Sequence, residues 1–125
     1  MSHWREALER PLRRAWKVAV GNRLRGRVIN HSSKSLWVIE TDSGTPIAHR
    51  LEPGCTSPLR VDADAFRSVD GVPIDGECSW IKIYDFVTAT IHDAPRGQLR
   101  ATGWLRRSVE EREFGVVTYE DHPWR

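Results

Sequence analysis

Five histidines, two cysteines and a scatter of carboxylates are the side chains in this 125-residue chain with the chemistry for catalysis or metal binding. Asp42-Ser43-Gly44 has the form of the triplet in which two carboxylates share a proton and activate water. That chemistry needs the aspartate to follow an apolar strand directly. Here Glu40-Thr41 intervene and Thr45-Pro46 come after the glycine, so the triplet reads as a hairpin turn. Asp62, Asp64, Asp70, Asp75 and Glu77 invite comparison with a calcium loop, since hard cations take clustered carboxylates. Counted from Asp62, however, the fifth and sixth loop positions hold Phe66 and Arg67, where a carboxylate and a glycine are required. These five acids therefore read as a solvated acidic loop, or as a contact for a basic partner. Cys55 or Cys78 could pair with His31, His49, His92 or His122 as a thiol–imidazole couple. Cys55 follows Pro-Gly in a loop and Cys78 leads into a strand, so neither has the helix N-terminus or cation that activates a thiolate. The histidines show no HxxxH or HxH spacing, and there is no phosphate-cradling glycine loop and no GxSxG. No catalytic residue, metal or cofactor is assigned.

The charge distribution is more informative than the net charge of +2. Residues 1–27 hold eight Lys and Arg against Glu6 and Glu9, a local +6, which leaves −4 over the remaining 98 residues. Arg10, Arg13, Arg14, Lys17, Arg23, Arg25 and Arg27 are the candidate partner-binding cations. Arg23, Arg25 and Arg27 alternate with Leu24, Gly26 and Val28, which lines them along one face of an extended segment. A basic stripe with aromatic residues such as Trp37 or Tyr84 would suit nucleic acid, but the acidic body and small total charge disfavour it.

These residues must be positioned by a small set of elements. Residues 2–20 read as an amphipathic helix, with Trp4, Ala7, Leu8, Leu12, Ala15 and Trp16 on one side and most charges on the other. Pro11 should kink it, and Gly21-Asn22 should end it. Trp4 and Trp16 are the candidate anchors, to a partner or to an anionic membrane. Residues 24–51 alternate short apolar runs with two turn signals and read as a meander. Within it, Leu36 and Val38 face one way and Trp37 and Ile39 the other, so this strand should be central, with protein on both faces. Asp62 is placed to cap a short helix through Val69. Residues 79–92 read as one long bent strand or two joined by a bulge, and further strands are expected over 98–105 and 113–120.

The expected fold is mainly β: a small antiparallel β-sandwich or partly open barrel with an amphipathic N-terminal helix kinked near Pro11. Residues 1–22 form the helix and 23–125 the single β-rich domain. The N-terminal stretch has no continuous apolar run of the signal-peptide kind, so a cytoplasmic protein with reduced thiols is expected; a Cys55–Cys78 disulfide is the alternative if the chain is exported. The expected function is a non-enzymatic protein-interaction module (adaptor, immunity-type or assembly component). It would meet a protein partner with an acidic surface, or a second copy of itself. A membrane-binding or membrane-disrupting β-sandwich is the first alternative, and a small hydrolase using Cys55 or an Asp–His pair the second.

Overall fold

The computed structural model describes residues 25–42, 44–84 and 87–124. The expected helix over 1–22, its kink at Pro11 and its anchors Trp4 and Trp16 lie outside the described residues, as do Arg10, Arg13, Arg14, Lys17 and Arg23. Among the described residues the chain forms β1 (Arg27–His31), β2 (Leu36–Glu40), β3 (Ile47–Leu51), β4 (Ala63–Ser68), β5 (Trp80–Ile83), β6 (Thr88–Asp93), β7 (Leu99–Thr102), β8 (Leu105–Val109) and β9 (Thr118–Pro123). They make two mixed sheets, one of three strands in the order β1-β6-β7 and one of six in the order β8-β5-β4-β2-β3-β9. The expected antiparallel pairing holds except at two places. β1 runs parallel to β6, and β3 runs parallel to β9.

The sheets pack through residues that alternate along each strand. Val28, Ala89, Ile91, Leu99 and Ala101 of the small sheet meet Leu36, Val38, Leu51, Phe66, Ile81 and Ile83 of the large one, each at most 5 % exposed. Burying one such side chain as large as Phe66 contributes roughly 1.5–3 kcal/mol, and a one-residue slip would turn a whole strand's set outward. The other face of the large sheet is apolar too. Ile39, Ala48, Ala65, Trp80 and Val109 form a second cluster there, with Trp37 of β2 beside them and Phe114, Val117 and Tyr119 packed over them. β2 is thus apolar on both sides because it lies inside the large sheet, between β4 and β3, as its sequence implied.

The meander expected over 24–51 breaks after β1, because β1 and β2 belong to different sheets. Asn30 is buried, and its Nδ2 donates to the carbonyls of Lys34 and Leu51, while its Oδ1 accepts from the backbone N–H and hydroxyl of Ser32. This satisfied polar corner turns the chain out of the small sheet and into the large one. On its other edge β1 is met by residues 54–57, where Thr56 bridges Ile29 and Ser57 N–H donates to the Val28 carbonyl.

The remaining corrections have the same cause, since strand alternation can continue while the chain changes sheet. Residues 79–92 are not one bent strand: β5 belongs to the large sheet and β6 to the small. Residues 98–105 likewise divide into β7 and β8, and Gly103 sits at the crossing with φ +132. A Cβ there would lie 2.9 Å from the Thr88 carbonyl. The two crossings lie side by side, with the rings of Tyr84 and Trp104 4.8 Å apart.

The expected helix after Asp62 is β4. The Asp62 carboxylate is buried and accepts from Gly26 N–H at 2.7 Å, so it fastens a distant segment instead of capping a turn of its own. A bulge opposite Ile39 and Glu40 then puts Ala63 and Phe66 on the inner face and Ala65 on the outer. The strand expected over 113–120 begins as a 3-10 turn, Glu111–Phe114, and only Thr118 onward pairs as β9. Cys55 and Cys78 are both free thiols.

Candidate interaction face

The outer face of the small sheet is built from residues that alternate with its core side chains. Three cross-strand rows result: Arg27 beside Thr88; Ile29, Thr90 and Thr102; and His31, His92 and Arg100. None of these eight positions carries a carboxylate. The start of this face is held by a close backbone approach. Gly26 donates to Asp62 and accepts from Ala63 N–H, and a Cβ on Gly26 would collide with the Ala63 carbonyl. Only glycine fits that contact, and it fixes Arg25 and Arg27 on either side. At the far end, the imidazoles of His31 and His92 stack with centroids 5.6 Å apart. Asp93 lies one residue beyond, on the other side of the strand. It accepts from Ser33 N–H and the Ser33 hydroxyl, both at 2.9 Å. Those two donors, with Lys34 nearby, hold its carboxyl below the ordinary aspartate value.

The strand arginines divide between the two sheets, while Arg60, in the loop before β4, forms no ion pair with any described residue. Each of the four on strands of the large sheet has a carboxylate partner: Arg50 with Glu52, Arg67 with Glu111, Arg106 with Glu113 and Arg107 with Asp75. Arg112, in the segment over that sheet, pairs with Glu110. Arg27 and Arg100 on the small sheet, Arg96 in its hairpin and Arg25 upstream form no ion pair with any described residue.

The polar groups over the large sheet are committed to one another. The Arg67 guanidinium lies 4.8 Å above the Trp80 ring and donates to the Tyr119 hydroxyl at 3.1 Å. Tyr119 donates to Glu111, and so does Trp80 Nε1, at 3.2 Å. Burial, followed by the hydrogen bond to Glu111, pushes the Tyr119 hydroxyl up to about 12, and Arg67 offsets part of the rise. This is a clasp holding the C-terminal segment to the sheet. A second such contact stacks His49 on Trp124 at 4.4 Å, with Glu40 3.5 Å from the imidazole.

The acidic residues singled out from the sequence do not form one loop. Asp62 precedes β4 and Asp64 lies within it, whereas Asp70, Asp75 and Glu77 follow this strand, whose six residues span about 20 Å. Asp62 is buried, Asp64 accepts from the Thr41 hydroxyl, Asp75 is taken by Arg107 at 2.7 Å, and Glu77 accepts from Ser108 at 2.8 Å. Asp42 and Gly44 lie in the turn between β2 and β3, where the Asp42 carboxylate accepts from Asp62 N–H. Among the described residues, no three or more His, Cys, Asp or Glu gather where they would hold a metal ion. No described helix is long and apolar enough to cross a membrane.

Of the predicted cations, the structure places Arg27 on this face, with Arg25 two residues upstream of it. His31, His92 and Arg100 share it; read from the sequence, the two histidines are candidates only as thiol partners, and Arg100 is not singled out. The parallel register that aligns His31 with His92 leaves no local signal. His92 and Arg100, however, lie four positions on either side of Arg96 in the recognisable Asp93-Ala94-Pro95-Arg96-Gly97 turn. Pairing the hairpin around that turn would have found them.

Comparison with known proteins found no matching family model, no matching curated protein and no matching solved structure. Functional assignment therefore rests on the chemistry of the face itself.

Proposed function

We propose that this chain is a non-enzymatic protein-interaction module, of the adaptor, immunity or assembly-component kind, that docks on an acidic protein surface. Its docking face is the outer side of the small sheet, with Arg25 and Arg27 at one end and His31, His92 and Arg100 at the other. The basic stretch containing Arg10, Arg13, Arg14, Lys17 and Arg23 extends the same charge along the chain. The observation that carries this reading is the division of the arginines: those over the large sheet are neutralised within the molecule, and those of the small sheet are not. Uncompensated charge on one face steers association with an oppositely charged surface and makes it sensitive to salt.

The test is affinity capture from the native source at low salt, comparing the parent chain with Arg25→Glu plus Arg27→Glu. An acidic protein recovered by the parent, released by moderate salt and lost in the double variant is the expected result. Arg112→Glu serves as the control, because Arg112 is already paired with Glu110. Retention of the same partner by the double variant, or indifference to salt, overturns the proposal.

A further inference from the structure

We propose that His31, His92 and Arg100 form a binding site for a tetrahedral oxyanion of the phosphate type. The proposal rests on the docking reading above and names the chemistry recognised at one end of that face. The three residues occupy one row across three neighbouring strands, His31 opposite His92 and His92 opposite Arg100. Like charges directly opposite one another on a sheet destabilise it, and natural sheets relieve that cost by mixing signs. This row does not mix them. In its imidazolium form each histidine carries donors only, and the row is then three adjacent cations.

The charges around the row do not cancel it. Lys34, in the turn after β1, adds to the positive field, as does Arg96 in the β6–β7 hairpin. Asp93 is the neighbouring acid, and its position alternates to the opposite side of the strand from His92. Its carboxylate is occupied by the two Ser33 donors. Thr90 and Thr102 form the adjacent row and supply neutral hydroxyls, the latter directed at the Thr90 carbonyl at 3.4 Å. Strands lie about 4.8 Å apart, so the three cationic groups span roughly 10 Å. One oxyanion bridges two neighbours while the third contributes field. Charge-assisted hydrogen bonds from imidazolium and guanidinium are the strongest that such a ligand can receive. A bound dianion would remove the repulsion that the row otherwise carries.

The test uses sulfate first, because its charge is constant over the range and any pH effect then belongs to the protein. Sulfate is titrated at about pH 5.5 and about pH 8, with binding read from the imidazole resonances of His31 and His92 and from the thermal midpoint. Binding about tenfold tighter at the lower pH is expected, the factor that one charge-assisted hydrogen bond supplies. His31→Gln plus His92→Gln should lose that pH dependence and weaken binding by about tenfold, whereas Arg107→Gln should change neither. The imidazole resonances of the parent chain report on the site even if the double variant folds poorly. Equal affinity at the two pH values, or unchanged resonances, overturns the site.

A second arm compares inorganic phosphate, an acidic phosphoserine peptide and the same peptide without phosphate. Preference for the phosphoserine peptide supports the site and assigns the oxyanion to the partner. Equal binding of inorganic phosphate supports it and assigns a free anion. Equal binding of the two peptides overturns it. A partner captured through Arg25 and Arg27 by a chain that binds no oxyanion would leave the docking reading standing and remove this site alone.

Discussion

The two outer faces of the sandwich are made by the same device, strand alternation opposite a shared core, yet they use it for opposite ends. Over the large sheet the outward residues are Trp37, Ile39, Ala65, Arg67 and Trp80, and the chain returns to cover them with residues 110–119. Every arginine on that sheet finds a carboxylate. Over the small sheet the outward residues are Arg27, Thr88, Ile29, Thr90, Thr102, His31, His92 and Arg100, and no carboxylate stands among them. The difference is not chiefly one of stability, because an exposed ion pair is worth only about 0–1 kcal/mol. It is a difference in what remains to be satisfied. On the large sheet every strand arginine is paired within the molecule, though Lys82 has no ion-pair partner among the described residues, and on the small sheet neither Arg27 nor Arg100 is paired with a described residue.

The contrast is sharpest where packing is involved. Trp80 is 1 % exposed and joins the strands to the clasp through its ring and its indole N–H. Trp80→Ala should cost about 3–5 kcal/mol, since it removes a large buried ring and one of the donors to Glu111. Thr90→Ala, on the small-sheet face, should stay within about 0.5 kcal/mol. Chemical denaturation of the two variants checks this. A similar loss for both would show that the small-sheet face is also a structural seam, and would break the distinction.

An intermediate effect is expected at Tyr119. Its hydroxyl is raised from 10.0 to about 12, with burial as the main cause and the bond to Glu111 the next. In the unfolded chain a tyrosine ionises near its ordinary value, while in the folded chain Tyr119 stays neutral to higher pH. Its contribution to stability is therefore complete below about pH 10 and declines as pH rises toward about 12, where the folded hydroxyl also ionises. Tyr119→Phe should cost about 1 kcal/mol at neutral pH and flatten the alkaline decline between those values. Stability measured against pH for the parent and the variant decides it. An unchanged alkaline limb would mean that the hydroxyl does not bind the C-terminal segment to the sheet.

Part of this division was legible in the residues. The double-faced apolar character of Leu36–Ile39 marked β2 as central, and the Asp42–Gly44 turn marked the hairpin leading into β3. Arg25 and Arg27 were recognisable as one-sided cations from their alternation. Three things were hidden. Changes of sheet between β5 and β6 and at Gly103 leave the alternation intact, so they cannot be seen as breaks in a pattern, and the turn between β1 and β2 looks like that of an ordinary hairpin. The parallel pairing of β1 with β6 joins segments some sixty positions apart, and no local spacing encodes it. The acids of residues 62–77 looked like one patch because a count of charge ignores that Ala63–Ser68 is a strand.

The smallest effect tests whether the row on the small sheet is held in place from outside its own strands. Asp93 takes both donors of Ser33 and so ties the turn after β1 to the end of β6, next to His31 and His92. Its carboxyl titrates below 3.8 in the folded chain, first because of the Ser33 backbone N–H, then its hydroxyl. A depressed carboxyl stabilises the fold above the unfolded value and loses that contribution as pH falls through the folded one. Asp93→Asn should therefore make the acid limb of the stability curve shallower below about pH 4, with a small change in midpoint at neutral pH. The more telling readout is the pair of imidazoles. If this tie sets the alignment of β1 against β6, the ring resonances of His31 and His92 should move apart in Asp93→Asn while those of His49, held between Glu40 and Trp124, stay fixed. Movement at His49 as well would mean that the substitution loosens the whole sandwich. Movement confined to the pair would show that the small sheet's face depends on contacts of its own, apart from those that close the other face.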